Sequence, residues 1–259
     1  MIVHYVLANP TANRTVLVTS AVPKKERLAV AERLMRAEPT AEQLGFVDLD
    51  APILEMAGGE FCGNASMSAA ALYAKTTRAA ADGETLNVVL QSSGAGAPVP
   101  VTVRREGDAC FCSVEMPRPL SVSEISLPGD GRTVTLPLVR FAGISHLICR
   151  GEIDFETAEK RIRSWCDLLG ADALGVMFLS EEQTKLTPLV YVPRAGTLFW
   201  ENSCAGGTTA YGAWRFAWEG KPFAATLSEP GGSLAVFADA DRLILSGKVV
   251  FEKESEMEI

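Results

Sequence analysis

The spacing of apolar positions changes several times along the chain, and each change marks an element. Residues 1–18 are rich in β-branched and aromatic side chains, interrupted once by Asn9-Pro10-Thr11-Ala12-Asn13. That pattern predicts two strands joined by a turn. Residues 24–36 carry Leu28, Ala31 and Leu34 at three-residue spacing with charges between them, which predicts an amphipathic helix. Short strands are expected at 45–49 and 52–56. An alanine-rich helical run follows from Met67, and then strands at 86–91, 99–104 and 109–116, with a Gly/Ala/Ser-rich turn over 92–97.

The second half follows the same order. A strand at 134–141 turns at Gly143 into another strand. A helix over 155–169 is stopped by Gly170, and strands follow at 175–179 and 186–192. A second small-residue helix begins near Thr208. Beyond it lie a strand at 224–227, the turn Glu229-Pro230-Gly231-Gly232-Ser233, and strands at 234–237 and 243–251. This repetition predicts two α+β domains from a duplicated unit, 1–118 and 119–259, joined near 118–127. One mixed domain with chance similarity is the alternative.

Composition narrows the classes. A chain of 259 residues, 47% hydrophobic and 22% charged, has the profile of a soluble globular protein with a real core. A net charge of −8, with no basic run, argues against nucleic acid as partner. No apolar stretch reaches the ~18 residues of a membrane span. The N-terminal residues show no secretory pattern, so a cytoplasmic location is expected.

Two segments stand out from this background, Glu60-Phe61-Cys62-Gly63-Asn64-Ala65-Ser66 and Glu201-Asn202-Ser203-Cys204-Ala205-Gly206-Gly207-Thr208. Each sets one cysteine among small residues just ahead of a helix. Helix N-termini offer unpaired N–H groups and the positive end of a dipole, which favour a thiolate. A thiolate on one face of a carbon and a thiol on the other can invert a stereocentre that bears an acidic hydrogen. The domains would then share a cleft with one cysteine from each. The N–H groups of Gly63, Asn64, Ala205 and Gly206 are placed to hold a substrate carboxylate.

No cofactor is required by this chemistry, and no phosphate-binding glycine motif is present. Only His4 and His146 accompany the six cysteines, and there is no Cys-x-x-Cys, so no metal site is expected. Cys149 and Cys166 read as small core residues, and Cys110 and Cys112 as one face of a strand. Three other readings stay open at this point. They are a Cys-His hydrolase using His146 or His4, a redox dithiol, and a binding module whose small residues serve packing.

The residues also resemble a known group. Cys62-Gly63-Asn64, and Cys204 followed by small residues and threonine, are similar to the diaminopimelate epimerase superfamily of cofactor-independent, two-cysteine racemases. Gly143-Ile144-Ser145-His146 stands where that superfamily has a Gly-Asn-Pro-His turn, and Glu42-Gln43 where it has an acidic residue and glutamine. Five segments in order resemble the histidine racemases of staphylopine-type metallophore biosynthesis. They run over 9–15, 42–46, 60–65, 200–204 and 230–233.

The resemblance implies two pseudo-symmetric α+β domains, each a mixed sheet curled around a central helix. It implies Cys62 and Cys204 as the acid/base pair acting on a small amino acid, and a homodimer. Asn13, Gln43 and Glu201 become candidate substrate contacts, with Glu42 and His146 supporting them from behind; a plain turn or capping role is the alternative for each of Asn13, Gln43, Glu201 and His146. Two departures bear on substrate. The Glu-Arg pair of diaminopimelate epimerases is replaced by Glu201-Asn202, and asparagine cannot reproduce arginine's bidentate grip on a carboxylate. Ala205 replaces a glycine and narrows the pocket. Diaminopimelate or another amino acid is the alternative to histidine.

Overall fold

The computed structural model describes residues 1–151 and 154–259. It divides into two compact units, Met1–Glu115 with Leu245–Ile259, and Met116–Ile244. Where the sequence suggested a second domain running to the C-terminus, the last fifteen residues, Leu245–Ile259, group with the first unit. The reason is backbone pairing, described next.

The first unit opens with strands β1 (Ile2–Pro10) and β2 (Thr15–Val18), followed by a 3-10 turn (Lys24–Glu26) and helix α1 (Arg27–Ala37). Strands β3 (Gln43–Asp48) and β4 (Ile53–Met56) lead into helix α2 (Gly63–Thr76), then β5 (Thr85–Ser92), β6 (Val99–Glu106) and β7 (Ala109–Glu115). β1 and β2 are antiparallel, β2 and β3 parallel, β3 and β4 antiparallel, and β4 and β5 parallel. Parallel neighbours need a crossover, and α1 and α2 supply the two. The long C-terminal strand β16 (Leu243–Glu258) pairs antiparallel with β1, from Ile2↔Glu258 to Pro10↔Val249, and also neighbours β7. The sheet β1–β7 with β16 therefore closes on itself like a barrel.

Helix α2 touches every strand from β1 to β7, and eleven of its fourteen residues are buried. Its sequence explains both facts. Alanine has the highest helix propensity, and Ala65, Ala69, Ala70, Ala71 and Ala74 let strands approach from all sides. Helix α1 instead buries one stripe, Val30, Ala31 and Leu34, against Val3, Tyr5, Val16, Val18, Leu44 and Phe46.

The second unit holds a six-stranded sheet with order β13-β12-β11-β10-β9-β8. Its strands are β8 (Ser121–Pro128), β9 (Thr133–Arg140), β10 (Ser145–Arg150), β11 (Leu174–Leu179), β12 (Leu186–Val192) and β13 (Thr197–Trp200). Helix α3 (Phe155–Leu169) crosses over between the parallel pair β10 and β11. Asp154 caps it by accepting from the Thr157 N–H at 3.0 Å, and Gly170 ends it in the left-handed conformation at φ 57°. Ile162, Trp165 and Cys166 face Leu138, Leu147, Leu174 and Leu189. Helix α4 (Ala205–Glu219) precedes the hairpin β14 (Phe223–Glu229) and β15 (Gly232–Ala238) and packs on both, and also on β8 to β11.

The antiparallel, parallel, antiparallel succession seen in β1–β4 recurs in β9–β12. Further expectations change: Leu28, counted in the apolar stripe of α1, is exposed and Val30 takes its place. The stretch 118–127, anticipated as a joint, is mostly strand β8, and the short strand β13 was not anticipated. No described helix is long and apolar enough to cross a membrane.

Candidate active site

Cys62 and Cys204 are the residues that cap α2 and α4, both in extended conformation (φ −133° and −124°). In each, the sulfur fills the role of the usual oxygen cap. Cys62 Sγ accepts from the Ala65 N–H at 3.5 Å, and Cys204 Sγ accepts from the Gly207 N–H at 3.3 Å. The cysteine carbonyls accept from Ser66 and Thr208, which starts each helical ladder. Gly63 and Asn64, and Ala205 and Gly206, supply the first-turn N–H groups for which a helix has no partner of its own.

In the first unit a chain of polar side chains ends at Cys62. The β1–β2 turn is tight, with Thr11 and Ala12 both left-handed (φ 54° and 61°), and Asn9 Oδ1 accepts the Ala12 N–H at 2.7 Å. The turn-holding amide is thus Asn9, and the Asn13 side chain faces inward. Asn13 Nδ2 donates to Glu42 Oε2 at 2.5 Å. Gln43 Nε2 donates to Asn13 Oδ1 at 2.6 Å and to Thr15 Oγ1 at 2.9 Å. The Cys62 thiol donates to Gln43 Oε1 at 2.9 Å. A carboxylate only accepts, so Glu42 fixes which end of Asn13 faces it. Asn13 then orients Gln43, whose carbonyl is left facing the thiol. A Gln43 amide turned over would offer its NH₂ to a thiolate, but it would forfeit both bonds at Nε2.

The Cys62 thiol is half-buried, and its pKa is pushed up to about 11. Loss of hydration is the main cause and the Glu60 charge adds to it, opposed by the Ala65 N–H, the Gln43 side chain and the Asn64 N–H. The side chain of Asn64 is buried, and its Oδ1 meets no hydrogen-bond donor among the described residues.

The second unit surrounds Cys204 with carboxylates. Its thiol is buried, and its pKa stands well above the usual thiol range. Burial is the largest cause, followed by the charges of Glu201 and Glu229 and a hydrogen bond with the Glu201 side chain. Glu229 Oε2 accepts the Cys204 N–H at 2.6 Å, while Glu229 Oε1 accepts the Thr208 hydroxyl. Burial raises the Glu229 pKa to about 7 against those two bonds.

His146 lies on β10, fully buried, and neither ring nitrogen is hydrogen-bonded among the described residues. Its ring packs edge-on to Phe141, and burial lowers its pKa to about 4. A Cβ added at Gly206 would come within 3.1 Å of the ring, and one at Gly207 within 1.9 Å of Met177 Sδ. The start of α4 therefore rests directly on β10 and β11, and glycine is what permits the approach.

The structure thus gathers Asn13, Glu42, Gln43, Cys62, Gly63 and Asn64 at one cap. At the other it gathers Glu201, Cys204, Ala205, Gly206 and His146. Sequence reading missed Thr15, Thr208 and above all Glu229. The available signal for Glu229 was a lone acid closing an apolar strand ahead of Pro-Gly-Gly.

Among solved structures this fold is shared by racemases and epimerases. One described as a probable proline racemase from Agrobacterium radiobacter K84 superposes with a TM-score of 0.70 at 10% identity, covering 99% of this chain and 92% of the other. The chain belongs to the family described as histidine racemase CntK N-terminal domain, which matches residues 2–250, and is thereby an isomerase. A histidine racemase of Fusobacterium nucleatum is 31% identical over 100% of this chain and 98% of its own length. Another, from Staphylococcus aureus, is 28% identical over 88% and 85%.

Proposed function

We propose that the protein racemises histidine without a cofactor, with Cys62 and Cys204 acting on opposite faces of the substrate α-carbon. The observation that carries this reading is the recurrence of one sulfur-capped helix start at both cysteines. Relatives named as histidine racemases support the choice of substrate. The proposed architecture is the diaminopimelate epimerase-like one, two pseudo-symmetric domains each curled around a central helix, α2 and α4.

Inversion needs one thiolate and one thiol. Glu201, at Cys204, is able to receive a proton, whereas the Gln43 carbonyl at Cys62 is not. In the form with Cys204 ionised, its thiolate takes the α-proton and the Cys62 thiol delivers one to the other face. The cycle ends with Cys204 protonated and Cys62 ionised, which is the form that runs the reverse direction. The N–H groups of Gly63, Asn64, Ala205 and Gly206 hold the α-carboxylate and stabilise the charge that develops as the proton leaves. Asn13, Gln43 and Glu201 contact substrate, with Glu42 behind Asn13 and His146 behind Gly206. Carboxylates at Glu42, Glu60 and Glu201 suit a cationic imidazole ring better than a second carboxylate. A cytoplasmic homodimer belongs to the same proposal and is checked by sedimentation.

The test is α-deuterium incorporation in deuterated water, followed by NMR over a panel of amino acids with the reduced protein and no added pyridoxal phosphate. Exchange and racemisation of histidine are expected. Exchange confined to diaminopimelate or another amino acid overturns the substrate. Absence of exchange with every amino acid overturns the enzyme mechanism.

A further inference from the structure

Glu229 belongs to neither the cysteine pair nor the carboxylate-binding turns, yet it makes the closest polar contacts to the Cys204 backbone. It closes β14, and its carboxylate clasps the first turn of α4 at two points, the Cys204 N–H and the Thr208 hydroxyl. A third bond from the same hairpin, Gly231 N–H to the Asn202 carbonyl at 2.8 Å, holds the approach to the cap. The side chain is 6% exposed and has no cation in contact among the described residues.

A carboxylate buried without a counter-charge is an expensive way to secure one N–H and one hydroxyl. Glutamine or serine would hold a cap at lower cost. What only the carboxylate adds is a negative charge beside the sulfur.

We infer that Glu229 is a positioning residue for Cys204, fixing the backbone of the cap and holding the thiol in its protonated form through its own charge. This inference rests on the reading of Cys204 as an acid/base group. The other ionisable groups at this corner are Cys204 itself, Glu201, which also disfavours the thiolate, and His146, which packs against Gly206 and which burial keeps neutral. β15 (Gly232–Ala238) carries no charged residue, and the charged residues of α4, Arg215 and Glu219, lie at the Phe223 end of β14. Lys185, on the segment before β12, meets Ser228 through a backbone bridge. The Glu229 carboxyl titrates near neutrality, so the charge is fully present at the alkaline pH where thiols ionise.

The experiment is the pH dependence of iodoacetamide alkylation of the reduced full-length protein. Each cysteine is followed separately by peptide mass spectrometry, and no substrate is needed. Removing the charge with Glu229→Gln should lower the alkylation midpoint of Cys204 and raise its rate at pH 8 about tenfold, while Cys62 keeps its wild-type profile. Glu229→Met is the second variant, of similar volume and without charge, and should shift the midpoint the same way. Thr208→Val removes a bond and keeps the charge, so its midpoint should stay at or slightly above the wild-type value.

An unmoved Cys204 midpoint in both Glu229 variants overturns the inference. So does an equal downward move in Thr208→Val, because either result reduces Glu229 to a structural clasp. A shifted midpoint in a protein that fails to exchange α-hydrogens would overturn the racemase reading and leave the coupling in place.

Discussion

The two cysteine caps share a backbone plan and differ in everything around it. Cys62 is half-buried, backed by amides and a hydroxyl, and starts a helix whose third residue is Ala65. Cys204 is buried, flanked by Glu201 and Glu229, and starts a helix whose third residue, Gly207, lies against Met177. Both thiols are held protonated, one chiefly by lost hydration and the other by lost hydration plus two carboxylates. The difference teaches that a helix N-terminus alone does not make a thiolate. The one or two side chains beside the sulfur decide: an amide carbonyl meets Cys62 and a carboxylate meets Cys204.

The sharpest way to break the comparison is to remove either sulfur. Cys62→Ser and Cys204→Ser are each expected to lower histidine racemisation by at least about 10²–10⁴-fold, read by chiral chromatography. Serine keeps an N-cap acceptor, so both variants should remain folded. Full racemisation by either would end the two-thiol reading.

The second contrast lies within the second unit and appears as a pH dependence of stability. Burial favours protonated Glu229, so its stabilising share is complete below the unfolded value of 4.5 and is lost as pH rises through about 7. Burial favours neutral His146, so its share is complete above 6.5 and is lost as pH falls through about 4. Each spans up to about 3 kcal/mol, and between pH 4.5 and 6.5 the two slopes oppose each other. Denaturant titrations should show Glu229→Gln losing stability toward acid more steeply than the wild type. His146→Gln should instead lose it toward neutral pH. Parallel curves for the two variants would contradict the opposition.

Smaller effects probe packing and polarity at the caps. Gly207→Ala drives a methyl into Met177 and should cost about 1–3 kcal/mol in thermal or denaturant unfolding. The reciprocal change at the matching position of α2, Ala65→Gly, creates no clash but loses a fully buried methyl as well as backbone entropy, and should cost about 1–2 kcal/mol. A Gly207→Ala variant as stable as the wild type would contradict the close approach of α4 to Met177. Gln43→Glu gives Cys62 a carboxylate neighbour of the kind Cys204 already has. Its alkylation at pH 8 should slow about tenfold, while Cys204 is unchanged.

Most elements were legible because local periodicity reports them. The amphipathic stripe of α3, its Gly170 stop and the alanine run of α2 are properties of neighbouring residues. Elements that lacked a period were missed or shortened. β13 has four residues and none is buried, and β8 is mostly exposed with no clean alternation. The end of β16, Glu252-Lys253-Glu254-Ser255-Glu256-Met257-Glu258, reads as a charged tail, yet it pairs with β1 as far as Ile2. Main-chain hydrogen bonds hold that edge, and they do not depend on which side chains the strand carries.

The sequence by itself determined that two cysteines begin two small-residue helices, because a cap and the run behind it are contiguous. It also carried the family resemblance, which rests on ordered short segments. Only the tertiary structure decided what each sulfur touches. Gln43 reaches Cys62 across nineteen positions, and Glu229 reaches the Cys204 N–H across twenty-five. Those partners stand at the ends of strands, where a single polar residue leaves no periodic trace, and sheet pairing and close packing carry them to the cap.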